Sequence, residues 1–265
     1  MSRKLKYLIR SKSFRFLKDL KDKSHRISSL AWNNKKIYYR TSSSDMILIY
    51  EILLKSKYMR EYYFPEELKP KVIFDIGGNI GITSVYLASL FPEAQIYTFE
   101  PLKENFEILK KNTSQFNNIE VFNYGLGAKN GSFKLYLSDD EENYGGVSLY
   151  SEVEGNMSEP YTECEVKNVN EVIQETGVTS IDLIKIDTEG AEYDILTSFK
   201  DEFLNKTSWI TGELHGNRDF ELLNYLNDLG FSISLNKNID SRLFMFNAGK
   251  KEVISNLSRK EIRIL

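Results

Sequence analysis

The sequence predicts an α/β fold in which a twisted, mostly parallel sheet is covered by helices on both faces. Strand-like segments alternate with helix-like segments from residue 71 to residue 247, and this alternation is typical of parallel sheets. The largely apolar run 181–186 is typical of a strand buried on both faces. A glycine-rich turn at 77–81 joins the first strand to a helix, as expected in such a sheet.

The elements of the first half follow from local residue patterns. Asp45 is a possible N-cap, so the segment 45–63 is predicted to be helical. Prolines at 65 and 70 then interrupt the chain. The patterns that follow predict a strand over 71–76, a helix over 81–90, a strand over 95–99, a helix over about 102–113 and a strand over 119–123.

The second half continues the same alternation after a long connection. The segment 138–160 is acidic and contains glycines and a proline, which predicts a loop that covers a binding site. The regular elements around it are predicted as strands at 131–137 and 161–167, a helix at 169–176, a strand at 181–186, a helix at 191–199, a strand at 208–214, a helix at 218–229 and strands at 231–235 and 242–247.

Composition excludes several classes of protein. The 265 residues are 41% hydrophobic and 28% charged, which is ordinary for a globular protein and excludes collagen and a wholly disordered chain. One cysteine and two histidines cannot form a zinc finger or a disulfide scaffold, so a reducing compartment is indicated. No apolar run approaches the roughly 18–20 residues of a membrane span, and the basic start lacks the apolar segment of a secretory signal. We therefore expect a soluble, cytoplasmic protein.

The first 40 residues are strongly basic. They carry 13 lysines and arginines against two aspartates, a net charge of +11, whereas the whole chain has a net charge of −3. Apolar residues recur at roughly helical spacing among these charges, at positions 5, 8, 9, 16, 17 and 20. Two interpretations stay open: an amphipathic helix on an anionic membrane surface, possible at the inner membrane, or a solvated basic arm that packs on the main domain. The acidic remainder argues against nucleic acid as a partner.

The ends of the first two strands predict a nucleoside-containing cofactor. Glycines after the first strand let the backbone approach a ligand, and Glu100 after the second strand can accept both hydroxyls of a ribose. Asn79 stands where a dinucleotide fingerprint needs its second glycine, and no Lys-Ser/Thr pair follows Gly81, which excludes a P-loop. Asp75, just before the turn, suits a ligand with a positive centre, such as the amine of S-adenosylmethionine (SAM).

Four strand-end motifs carry a family resemblance. They are VIFDIGGNIG at 72–81, FEP at 99–101, IKIDTEGAE at 184–192 and GELH at 212–215. In this order they resemble the successive motifs of FkbM-type SAM-dependent methyltransferases, and the similarity runs from about residue 70 to 247. The resemblance implies the seven-stranded class I methyltransferase sheet, SAM as cofactor and O-methylation, often of sugars or polyketide hydroxyls. Gly78 and Gly125 depart from the family, which usually has alanine at both places.

The resemblance also implies which residues bind the cofactor. Glu100 would hold the ribose. The residues that would shape the methionine end of the pocket are Asp75, Gly77, Gly78, Asn79 and Gly81. Those that would border the adenine are Asn123, Tyr124 and Gly125, together with Leu126, although Tyr124 and Leu126 fit an ordinary core equally well.

Methyl transfer to a hydroxyl needs a positioned base, and candidates lie at the ends of the fourth and fifth parallel strands. Asp187 is favoured as the base or acceptor-orienting group, and His215 and Glu213 are the other candidates. A histidine with a pKa near its reference value of about 6.5 suits a base at neutral pH. Glu189 and Glu192 could instead cap the helix that follows. The acidic residues and His215 could bind one Mg²⁺ ion, but no metal ligand is assigned.

The sequence therefore predicts a SAM-dependent O-methyltransferase acting on a hydroxyl of a sugar, glycan or glycolipid. An N-methyltransferase of protein or nucleic acid and a non-catalytic nucleoside-binding scaffold are the alternatives. The chain is divided into a basic, helical N-terminal extension (1–65), a methyltransferase domain (66–250) and a C-terminal tail (251–265).

Overall fold

Two short helices and a β-hairpin begin the chain. The computed structural model describes residues 3–137, 147–148, 161–215, 218–236 and 244–264. The extension contains α1 (Arg3–Ser11), α2 (Phe14–Asp19), β1 (Ile27–Trp32), β2 (Lys35–Arg40) and α3 (Ser44–Leu48), followed by a π-helical turn (Ile49–Leu54) and a 3-10 turn (Lys57–Met59).

The extension differs from the expected all-helical segment at two places. Asn33 and Asn34 both have positive φ (45° and 61°), which suits the tight turn of a twisted hairpin and creates β1–β2. The helix predicted over 45–63 ends at Leu54, because the backbone of Lys55 is extended. The guanidinium of Arg60 donates to the carbonyls of Leu53 (3.3 Å) and Lys55 (3.1 Å), and so satisfies the helix end.

The central sheet has the predicted mostly parallel, seven-stranded form. Further along the chain lie β3 (Val72–Ile76), α4 (Ile82–Leu90), β4 (Gln95–Phe99), α5 (Lys103–Thr113), β5 (Ile119–Phe122), β6 (Gly125–Gly127), β7 (Gly131–Leu137), β8 (Val147–Ser148), β9 (Tyr161–Asn168), α6 (Val169–Thr176), β10 (Leu183–Ile186), α7 (Glu192–Leu196), α8 (Asp201–Lys206), β11 (Trp209–Leu214), α9 (Asp219–Asp228), β12 (Phe231–Asn236), β13 (Phe244–Lys250), α10 (Lys251–Ile254) and α11 (Arg259–Ile262). The strand order is β12-β13-β11-β10-β3-β4-β5, with β13 antiparallel to both neighbours. This is the class I methyltransferase sheet that the resemblance implies.

Both faces of the sheet are buried. Ile73 of β3 belongs to a core shared with α4 and the N-terminal extension, whereas Phe74 and Ile76 belong to a core on the opposite face. Successive side chains of a strand point to opposite faces of the sheet, so β3 contributes residues to both cores. Because β3 and β10 are central and covered on both sides, their carboxyl ends are held rigidly at one edge of the sheet.

A second, four-stranded sheet has the order β6-β9-β7-β8. The strands at 131–137 and 161–167 were predicted, but β6 was missed because it has only three residues, two of them glycine. The predicted lid 138–160 lies outside the described residues except for Val147–Ser148, which pairs with the end of β7.

The N-terminal extension packs firmly on the sheet domain. Phe16 and Tyr39 are fully buried in the core that contains Ile73. Arg40, also buried, forms a bidentate salt bridge with Asp45 (2.7 and 2.8 Å). Its guanidinium also donates to Asn105 of α5 at 2.8 Å, so this ion pair joins the extension to the domain. In the described part of the chain, no helix is long and apolar enough to cross a membrane.

Candidate functional site

A cavity lies outside the carboxyl ends of β3, β4 and β10, where α/β sheets bind their ligands. Its polar side is lined by Gly77, Asn79, Glu100, Asp187 and Glu189, and its apolar side includes Leu126. The predicted strand ends β3, β4 and β10 therefore deliver residues to one cavity.

The turn after β3 lies very close to the backbone at the end of β10. Gly77 has a φ of 80°, and its amide donates to the carbonyl of Phe99 at 3.0 Å. A Cβ at Gly77 would lie 1.8 Å from the carbonyl oxygen of Asp187. Only glycine fits this position, because the backbone both adopts a left-handed conformation and approaches β10 closely.

The structure explains why residue 78 is glycine and not the alanine that the resemblance predicts. A Cβ there would lie 2.3 Å from Cγ2 of Thr98 and 2.9 Å from Cδ1 of Leu109. These two side chains fill the space that an alanine methyl would occupy. Gly78 and Gly81 belong to the turn but do not line the cavity.

Glu100 is positioned by backbone amides. Its carboxylate accepts from the amide of Asn79 (2.7 Å) and from that of Leu102 (2.9 Å), one on each oxygen. Burial raises the pKa of Glu100 to about 7 in spite of these bonds. Each carboxylate oxygen has a further lone pair, so Glu100 can accept two ribose hydroxyls from the cavity without losing its orientation.

Asp75 lies behind the cavity rather than in it. It is fully buried and accepts from the Ser84 hydroxyl at 2.5 Å, and its Oδ1 lies 3.6 Å from Nζ of Lys185. Burial raises the pKa of Asp75, and Lys185 opposes that shift. Asp75 therefore does not line the cavity, and Lys185 beside it donates to the carbonyl of Gly77, which does, at 2.7 Å.

The apolar side of the cavity differs in part from the prediction. Gly125 and Leu126 line it, but Asn123 and Tyr124 do not. The Asn123 amide donates to the carbonyl of Glu100 at 3.0 Å, and Tyr124 packs in the core against Phe99. Sequence reasoning missed Cys164 and Val166 of β9, which complete this side of the cavity, because their approach depends on the pairing of β9 with β6.

Asp187, at the end of β10, is held from two sides. Its Oδ2 accepts from the hydroxyl of Tyr62 at 3.2 Å and lies 3.6 Å from Nζ of Lys185. Burial and the nearby Glu213 raise the pKa of Asp187, although Lys185 lowers it. A carboxylate with a raised pKa is a better proton acceptor than an ordinary aspartate.

His215 lies in a cage of carboxylates. Its Nδ1 is 3.3 Å from Glu192, and its Nε2 is 3.2 Å from Glu213 and 4.0 Å from Asp187. Burial disfavours the imidazolium, but the bonds to Glu192 and Glu213 outweigh it and raise the pKa of His215 to about 11. The expectation of an ordinary histidine pKa was wrong: the ring is protonated at neutral pH and donates hydrogen bonds instead of accepting a proton.

Glu192 and Glu189 have different surroundings. Glu192 is buried and accepts from the amides of Thr188 (2.8 Å) and Gly190 (3.1 Å), so it closes the loop before α7. Glu189 lines the cavity, adopts a positive φ of 55° and lies 3.7 Å from Nε2 of His215. Glu192, the first residue of α7, therefore places its charge at the helix start but bonds to the preceding loop, and Glu189 faces the site.

A metal ion could be held at the same place. Among the residues described, Asp187, Glu213 and His215 each offer one ligand atom, and these atoms lie within 4.8 Å of one another. A metal ligand needs the lone pair of a neutral imidazole, so a cation would bind here only after His215 had lost its proton.

The buried carboxylates predict that the ligand-free protein becomes more stable as the pH falls from 8 to about 5. Burial raises the pKa of Glu61 to about 8 and that of Glu100 to about 7, above their unfolded values. The folded state therefore binds more protons in this window, and the free energy of unfolding rises as the pH falls. His215, with a pKa raised above its unfolded value, acts in the same direction.

Thermal unfolding between pH 5 and pH 8 measures this effect, with an expected rise in Tm of about 5 °C toward the lower pH. A Glu61→Gln variant, whose amide does not titrate, is the control and should have a smaller slope. A Tm that increases from pH 5 to pH 8 would contradict the prediction.

The comparisons with known proteins agree with this geometry. Residues 75–233 match the methyltransferase FkbM domain. The chain is 27% identical to AMB antimetabolite synthetase AmbE of Pseudomonas aeruginosa over 74% of this chain and 10% of that protein. It is also 27% identical to Methyltransferase 1 of Beauveria bassiana, over 66% of this chain and 76% of that protein.

A third relative, 2-O-methyltransferase NoeI of Sinorhizobium fredii, is 27% identical over 54% of this chain and 62% of that protein. The chain thus spans about a tenth of AmbE and most of Methyltransferase 1. Since the domain match covers more than half of the residues, this chain belongs to the methyltransferase FkbM family.

Proposed function

We propose that this chain is a SAM-dependent O-methyltransferase that methylates a hydroxyl group of a carbohydrate, free or lipid-linked. The observation that carries the proposal is the convergence of Glu100 and Asp187 on one cavity, at the ends of β4 and β10, the two strands that flank β3. NoeI, to which the chain is similar, is a methyltransferase that acts at an oxygen, and this favours a hydroxyl acceptor.

The cavity fits the cofactor of this family. Glu100 offers two carboxylate oxygens for the ribose, and the Gly77–Asn79 turn brings the backbone to the polar end. Leu126, Cys164 and Val166 form an apolar wall suited to the adenine. SAM would supply an electrophilic methyl group here, so the protein's own task is to bind, orient and deprotonate the acceptor.

In this proposal Asp187 takes the proton of the acceptor hydroxyl while the methyl group passes from sulfur to that oxygen. Its Oδ2 is fixed by Tyr62 and lies near Lys185, which leaves Oδ1 for the acceptor. Glu213 lies beside it and offers an acceptor for a neighbouring hydroxyl, while protonated His215 directs its two ring N–H groups to Glu192 and Glu213 and so orients Glu213. Adjacent hydroxyls are characteristic of sugars, and this is why a carbohydrate is favoured over an isolated alcohol.

Mass spectrometry with isotope-labelled SAM tests the proposal. A panel of methyl glycosides, oligosaccharides, simple alcohols, peptides and oligonucleotides would be incubated with the full chain, while calorimetry measures binding of SAM and its demethylated product. We expect tight cofactor binding and label in a glycoside. Label only in peptides or oligonucleotides would favour N-methylation, and cofactor binding without transfer to any acceptor would favour the scaffold alternative.

A second proposal concerns the basic extension, where exposed apolar side chains favour contact with an anionic lipid surface. Leu5 and Ile9, one turn apart on α1, are 45% and 55% exposed, and Phe14 at the start of α2 is 73% exposed. Lys4, Lys6 and Lys12 are exposed and lie close to them in the sequence. Apolar side chains within a basic surface are typical of peripheral membrane binding.

Vesicle sedimentation tests this contact by substitution, since deleting residues 1–40 would remove Phe16 and Tyr39 from the core. We expect the triple change Leu5→Ser, Ile9→Ser, Phe14→Ser to lower binding to phosphatidylglycerol vesicles about tenfold, through lost apolar burial. The matched control is Phe220→Ser, which changes a 77% exposed ring on α9. Equal binding by the triple variant and the wild type would refute the contact.

A further inference from the structure

Part of the site comes from outside the family-matched segment. Tyr62 precedes residue 75, where the match begins, yet its side chain is 1% exposed and contacts the end of β10. Its hydroxyl donates to Oδ2 of Asp187 at 3.2 Å, and Nζ of Lys185 lies 5.7 Å from the centre of its ring. Tyr62 thus touches both polar residues at this strand end.

The residues next to Tyr62 fix its position. The Tyr63 hydroxyl donates to Glu261 of α11 at 2.8 Å, and Phe64 packs against Tyr86 and Phe91. The amide of Glu61 donates to the carbonyl of Glu51. The segment is therefore anchored on both sides, and successive side chains point to different surroundings: Tyr62 to the site and Tyr63 away from it.

The contacts of Asp187 show what the hydroxyl of Tyr62 does. Both Tyr62 and Lys185 approach Oδ2, whereas Oδ1 lies 4.0 Å from Nε2 of His215. A carboxylate held at one oxygen presents the other in a defined direction. Without the hydroxyl, Oδ2 would keep only its contact with Lys185, and Lys185 is shared with Asp75 and the carbonyl of Gly77.

We propose that Tyr62 is a positioning residue, through which the N-terminal extension orients Asp187 toward the acceptor. This proposal rests on the proposed methyl transfer. Tyr62 does not itself take the proton: it orients the carboxylate that does. A misplacement of about 1 Å at a reacting group can cost roughly a hundredfold in rate, so the loss of one orienting bond should lower kcat.

The test is Tyr62→Phe, which keeps the ring and removes the hydroxyl, with Tyr63→Phe as the matched control. With the glycoside that the wild type methylates best, we expect Tyr62→Phe to lower kcat about 10- to 100-fold. The Kd for SAM should stay within about twofold of the wild type, because Tyr62 does not line the cofactor cavity. Tyr63→Phe should keep kcat and lower only Tm.

Two results would overturn the proposal: an unchanged kcat in Tyr62→Phe, or an equal fall in both variants, which would indicate packing alone. If the wild type methylates no acceptor, the proposed function fails, but a crystal structure of Tyr62→Phe still tests the positioning role. A displaced Asp187 carboxylate would support that role, and an unmoved carboxylate would refute it.

Discussion

Replacing Asp187 with asparagine should lower kcat for hydroxyl methylation by about a hundred- to ten-thousandfold, the usual contribution of a general base. Asparagine keeps the size of the side chain, and its carbonyl oxygen can still accept from the Tyr62 hydroxyl. It cannot take a proton. Steady-state kinetics should therefore show the loss in kcat, while calorimetry shows a Kd for SAM within a few-fold of the wild type.

The control for this substitution is Asp182, which lies at the opposite end of β10 from Asp187. Asp182 precedes β10, and its carboxylate accepts from the amides of Lys71 (2.7 Å) and Val72 (2.9 Å). Asp182→Asn makes the same chemical change far from the cavity, so it should affect Tm but leave kcat unchanged. If Asp187→Asn retains wild-type kcat, the base is another group, and Glu213→Gln becomes the next variant to measure.

The charge distribution explains why Asp187 is favoured over His215. A histidine alone at a strand end suggests a base, but its protonation depends on how many carboxylates surround it. Asp187 and Glu192 come from the 184–192 motif and Glu213 comes from the 212–215 motif, and together they hold the proton on the ring. Sequence can supply the histidine and the acids, whereas only the fold shows that they meet.

Local patterns were sufficient for the sheet and for the strand ends that form the cavity. The apolar alternation in β3 and β4 and the glycine turn at 77–81 are short-range signals, and they placed Glu100 and Asp187 at the same edge. The hairpin β1–β2 was missed because the helical spacing of apolar residues at positions 5–20 was extended to the whole basic segment, and the Asn33-Asn34 turn was not considered.

The contacts that sequence could not reveal are those between distant segments. Tyr62 and Asp187 are 125 residues apart, and nothing near Tyr62 indicates that its hydroxyl reaches the site. Lys185 gave one usable signal, since a lysine within a strand buried on both faces must find a partner. Its partners, Asp75 and Asp187, were both recognised as important, but the lysine between them was not.

A methyl group added at Gly77 is expected to have the largest effect on the fold and the cofactor site together. Its Cβ would lie 1.8 Å from the carbonyl oxygen of Asp187, and the φ of 80° is unfavourable for alanine. The left-handed backbone costs about 1–2 kcal/mol, and overpacking adds about 1–3 kcal/mol. Gly77→Ala should therefore lower the free energy of unfolding by about 2–5 kcal/mol.

Gly177 is the control that separates the cost of a left-handed backbone from the cost of a steric clash. It also has a positive φ, of 68°, at the end of α6, but a Cβ there would meet nothing within 4 Å. Gly177→Ala should lose only the backbone contribution of about 1–2 kcal/mol and keep wild-type affinity for SAM. Denaturant unfolding and calorimetry on both variants measure the difference. If Gly77→Ala and Gly177→Ala lost the same free energy of unfolding and kept the same affinity for SAM, the end of β3 could move away from β10 at no cost. That result would contradict a structural role for the close approach of Gly77 to Asp187.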